Sequence, residues 1–272
     1  MRGPTLIVMF IVCFISAFQS TMVEAQDGVE EARGLYNEGR FDDAIAKARS
    51  VPQESRADAA AVILARARLE RFRLVGDRSD LEAARTLLRD VDARELSATE
   101  RADWELGVAT ALYLQGDFGP AAEILDRLLR ANMVGADDRD HLVDWWASAI
   151  DQTARGLDLE QRTHVYGRVL DRLESERARN PESSATTYWL VAAARGAGDI
   201  ERAWALGVAG WILAGDANGV LRTDLDRLVL QGVIPDLAAL RTTRPHNDDI
   251  TIWTMAQLAS DWESMKSSWD SP

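Results

Sequence analysis

Apolar residues along this chain fall in stripes with helical spacing, and no long alternation of Val, Ile or Thr with polar residues marks a strand. The stripes run into glycines: Leu35-Tyr36 before Gly39, Leu112-Tyr113 before Gly116, and Ala193-Ala194 before Gly198. Gly76 and Gly156 continue the series, so that the five glycines are 37, 40, 40 and 42 residues apart. Three of them open one phrase: Gly39-Arg-Phe-Asp-Asp-Ala44, Gly116-Asp-Phe-Gly-Pro-Ala121 and Gly198-Asp-Ile-Glu-Arg-Ala203. Glycine after an apolar stripe supplies the left-handed residue that closes a helix. The large apolar residue opens the next helix and folds back on the first. The small Ala lets the two backbones approach closely. Recurrence at this period predicts stacked helical hairpins.

The pattern predicts paired helices over 27–38 and 41–50, 55–75 and 79–90, 97–115 and 118–132, 138–153 and 158–179, and 183–195 and 200–214. Ser97-Ala-Thr-Glu100 reads as a capping box, and Asn180-Pro181 stops the helix before it. Beyond the hairpins, 221–231 and 235–241 predict two separate short helices, with Pro235 in a first turn. A polar loop leads to a last amphipathic helix over 250–269, with Leu258, Trp262, Met265 and Trp269 on one face. Such a helix covers the open end of an array.

The phrases resemble tetratricopeptide repeats. Arg33-Gly-Leu-Tyr-Asn-Glu-Gly-Arg-Phe-Asp-Asp-Ala44 with Pro52 carries the resemblance, as do Gly107–Leu129, preceded by Trp104, and Trp189–Leu206. The Gly76 unit departs through Asp77-Arg-Ser-Asp-Leu81 before Ala84. The Gly156 unit has Trp145 in place but no small crossing residue in Arg162-Thr-His-Val-Tyr166. The resemblance spans 28–210 and implies an all-α, antiparallel helix-pair solenoid of about five units over 26–214, with 215–272 as a helical cap. Counted from the glycines, it places Arg33, Tyr36, Asn37, Arg66, Glu70, Arg73, Tyr113, Trp146, Tyr188 and Arg195 on a concave binding face.

Residues 1–25 stand apart. Arg2, an apolar run from Thr5 to Phe18 and Val23-Glu24-Ala25 predict a secretory signal peptide cut before Gln26. The run is too short for a comfortable membrane span, which predicts no integral span once it is removed. Cys13, the only cysteine, lies inside it, so the mature chain has neither disulfides nor thiol chemistry. Arg2 and Glu24 cancel, leaving the formal charge of −13 unchanged and disfavouring nucleic acid as a partner.

Motifs of catalysis are absent: no Gly-x-Ser-x-Gly, no His-Glu-x-x-His and no phosphate loop. No cofactor is expected. Asp216-Ala-Asn218-Gly219 lacks the later glycine and glutamate of a calcium loop. Asp137, Asp138, Asp140, His141 and Asp144 form the densest ligand cluster, though acids also gather where a helix begins. Arg66, Arg68, Arg71 and Arg73 read as a local reversal of charge in an acidic chain. With Tyr113 and Trp146 they predict a face for a segment of acidic character.

The first function class is a non-enzymatic scaffold in the periplasm, cell envelope or extracellular space, binding a protein or peptide segment. A solute-binding accessory of a transport system, marked by an enclosed aromatic cavity, is the second. An envelope-polymer processing factor, marked by a clustered acid–base pair, is the third.

Overall fold

A computed structural model describes residues 27–52, 56–131, 136–215, 218–242 and 248–270. The predicted signal peptide and Cys13 lie outside them. The described residues are all-α, with no strand among them. The chain divides into two compact units at Met133/Val134, so that the predicted cap helices belong to the second unit.

The first unit holds α1 (27–37), α2 (Phe41–Ser50), α3 (Ala57–Val75), α4 (Arg78–Asp90), α5 (Ala98–Gln115) and α6 (Phe118–Ala131). Sequential helices pack as hairpins, and α3 also packs on α5. The Ser97–Glu100 capping box is formed in full. Trp104 fills the space between neighbouring hairpins and donates its indole N–H to Leu88 O at 2.8 Å.

The second unit holds α7 (Ala136–Ala154), α8 (Leu159–Arg179), α9 (Ser184–Gly196), α10 (Ile200–Ala214), α11 (Gly219–Leu228), α12 (Ile234–Arg241) and α13 (Asp248–Asp270). Here α9 packs on α7, α8, α10 and α11. On α13, Leu258 and Trp262 are buried, Met265 is half-buried and Trp269 is exposed. Trp262 meets Trp204 and Trp211 at 5.8 and 6.4 Å between ring centroids, and its indole donates to Asp226.

The three phrases close in one geometry. Gly39, Gly116 and Gly198 have φ of 75°, 89° and 83°. In each, the glycine N–H and the next N–H reach back to consecutive orphan carbonyls, as Gly116 N to Tyr113 O at 3.0 Å and Asp117 N to Leu112 O at 2.9 Å. Phe41 and Phe118 fold back on Tyr36 and Tyr113, at 5.7 and 5.2 Å. Ala44, Ala121 and Ala203 are fully buried.

Two expectations change. Gly156 takes no positive φ; α7 ends at Ala154, and Leu157 N bonds Ala154 O in an ordinary tight turn. The two short helices after α10 form one continuous rod, because Val229–Val233 widens into a π turn whose Ile234 N–H reaches Val229 O.

Candidate functional site

The predicted binding residues fall into two sets. In the first unit, α1, α3 and α5 bring Arg33, Tyr36 and Arg66 together around a residue that the pattern did not mark, Asp103. Arg33 and Arg66 each donate to one oxygen of Asp103. The Arg66 guanidinium lies 4.6 Å from the Tyr36 ring centroid. Beside them, buried Glu100 accepts from Arg56 and from Ser97 N at 2.9 Å. Burial alone would raise the Glu100 pKa. The Ser97 bonds and the charges of Arg56 and Arg33 outweigh it and hold the carboxyl below its ordinary value.

The expected reversal of charge is cancelled by these pairings. Arg68 and Arg71 close on the buried carboxylate of Asp80, Arg71 also reaches Asp42, and Arg73 pairs with Glu70 at 2.8 Å. Each guanidinium of the run thus has a carboxylate. Asn37 is exposed, and Tyr113 is half-buried against Phe118. No sequence spacing announces Asp103 or Asp80, because their partners come from other helices.

In the second unit, Tyr188 and Arg195 line a groove of about 1030 Å³, open to solvent, built on α7, α9 and α11. These helices run parallel. Asp140 on α7 accepts from Ser183 Oγ and Ala185 N at the start of α9. One turn later Asp144 accepts from Trp189 Nε1 at 2.8 Å. The contacts Asp140–Ala185 and Asp144–Trp189 are both 45 residues apart, whereas Gly156 and Gly198 are 42 apart. A register counted back from Gly156 is therefore displaced, and Trp146 is buried in the core, away from the groove-lining stripe of Asp144, Ser148, Asp151 and Arg155.

Charge in the groove is polarised. Asp140 and Asp144 stand at the edge where the helices begin. Arg155 and Arg195 stand where α7 and α9 end, where the helix dipole favours a cation. Arg155 is tied to Asp151 at 2.8 Å and Arg195 Nε to Asp236 Oδ2 at 2.6 Å. The π turn lies close to this pair: a Cβ on Gly232 would stand 2.7 Å from Arg195 Nη1, so a larger residue there would oblige the guanidinium to shift. Tyr166 donates to Asp151 at 2.6 Å; burial, then this bond, raises its pKa.

The cation cluster read from sequence is differently employed. Asp140 and Asp144 hold α9 in place, and no group of three metal-ligating side chains gathers among the described residues. The side chains of Asp137, Asp138 and Asp216 lie outside those described. No protein-family model, curated protein or solved structure matches the chain.

Proposed function

We propose that the chain is an exported, non-enzymatic scaffold that holds a protein or peptide segment in the groove of its second unit. The observation that carries the reading is the rim of that groove. Leu159 and Val220, large apolar side chains on separate helices, are 69% and 76% exposed there. A segment laid across α7, α9 and α11 would cover both. The groove volume of about 1030 Å³ stands at the upper limit of the roughly 300–1,000 Å³ usual for small-ligand sites, and the groove is open rather than enclosed. Both features favour an extended or helical segment over a solute. Export rests on the leader pattern of residues 1–25.

The test is selection of binding peptides from a random displayed library against the chain without residues 1–25. A second round then uses Ala192→Arg, which places a long side chain in the groove. The reading expects enriched sequences whose binding is lost in the variant while helical circular dichroism is unchanged. Enriched sequences that bind the folded variant equally well would move the site elsewhere.

A further inference from the structure

Resting on that reading, the partner's chemistry follows from the groove's own charges. Its lining carries five aspartates, Asp140, Asp144, Asp151, Asp224 and Asp236, against three arginines, Arg155, Arg162 and Arg195, leaving two negative charges. Two of the arginines are already tied to groove carboxylates at one edge. At the other edge the acids are held differently. Asp144 accepts from an indole and Asp140 from a hydroxyl and an amide, all neutral donors. A neutral donor orients a carboxylate without cancelling its charge.

Between the edges stands Tyr188. Its ring meets Trp189 edge to face at 5.4 Å and 88°. Its hydroxyl donates to no described residue, although the side chain is half-buried in the groove wall. Burial raises its pKa, and the charges of Asp224, Asp151 and Asp144 raise it further while Arg227 lowers it. Asp151 is paired with Arg155 and Asp224 with Arg227, whereas Asp144, bonded to the neighbouring Trp189 indole, keeps its charge.

We infer that the groove selects a basic segment, with a lysine or arginine side chain of the partner seated over Tyr188 beside Asp144. A cation there gains the ring quadrupole and the charge of Asp144 together. The exposed side chains of Leu159 and Val220 take apolar residues that flank the cation, which distinguishes a segment from a bare amine. The formal charge of −13 on the whole chain draws such a segment in.

The experiment uses three short fluorescent peptides with leucine at the same positions and lysine, glutamine or glutamate at the others. Binding to the full mature chain is read by anisotropy. The lysine peptide should bind about tenfold tighter than the glutamine peptide. The double variant Asp144→Asn, Asp224→Asn should erase that preference, because asparagine at 144 can still accept from Trp189. The double variant Asp90→Asn, Glu201→Gln, with both positions exposed and neither lining the groove, should keep it. Equal binding of the three peptides, each lost in Ala192→Arg, would overturn the charge preference and leave the groove in place. Equal loss in both acid-neutralised variants would overturn the groove as its source, since only the long-range field would then be acting. Binding of free spermidine as tight as that of the lysine peptide would overturn the choice of a segment. Binding unaffected by Ala192→Arg would overturn the groove reading itself.

Discussion

The carboxylate of Asp144 accepts a hydrogen bond from Trp189 Nε1 at 2.8 Å, joining α7 to α9 in the groove lining. Trp189 is almost wholly buried and Asp144 is exposed, so one end of the bond is fixed and the other is wet. Trp189→Phe removes the donor and part of the buried ring, while Asp144 regains water. A loss of about 1–2 kcal/mol in unfolding free energy is expected by denaturant titration. Asp144→Asn, which keeps an acceptor, should lie within about 0.5 kcal/mol of the parent.

Gly116 and Gly156 separate a structural glycine from a look-alike. Gly116, at φ 89°, makes the left-handed helix end, whereas Gly156 has an ordinary turn conformation. Gly116→Ala should cost about 1 kcal/mol, because alanine tolerates that conformation poorly. Gly156→Ala should be neutral or slightly stabilising. Paired thermal melts check this, and equal costs would contradict it.

That contrast also shows how far the pattern was readable. Three glycine phrases predicted three identical helix ends, and Ala44, Ala121 and Ala203 are buried as their small size requires. These signals are local: turn chemistry and one crossing residue lie within a few positions of each other. The groove depends on register between helices tens of residues apart. The one unreliable glycine, Gly156, displaced α7 and turned Trp146 into an expected surface residue when it is core. Tyr188 and Arg195, counted from the sound Gly198, lie in the groove. The arginine run was legible as charge but not as pairing, since Asp80 and Asp103 come from other helices.

Ala121 is fully buried at the start of α6, where the hairpin closes on α5. Ala121→Leu should overpack this crossing and cost about 1–3 kcal/mol. An unchanged melting temperature would mean that the helices separate without penalty.

Asp80 is buried against Arg68 and Arg71, and the hydrogen bonds of Arg71 hold its carboxyl below the ordinary value. A depressed pKa in the folded chain contributes stability that is complete above the unfolded carboxylate range. It is lost as pH falls through the folded value. Asp80→Asn should therefore cost about 2–3 kcal/mol at neutral pH, leaving the arginines undercompensated. The gap between variant and parent should narrow below about pH 4, as the parent's Asp80 also protonates. Denaturant titrations of both proteins across pH measure it, and a gap constant down to pH of about 2 would contradict the pairing.

The central claim, that a segment lies across the second unit's groove, is tested most directly by site-specific photo-crosslinking in the cells that make the protein. Benzoylphenylalanine is placed at Tyr188 in one protein and at exposed Arg168, on α8 outside the groove, in another. The account predicts a discrete crosslinked product from position 188, with a peptide of the partner identified by mass spectrometry, and none from position 168. The same product from both positions, or a product from 168 alone, would contradict it.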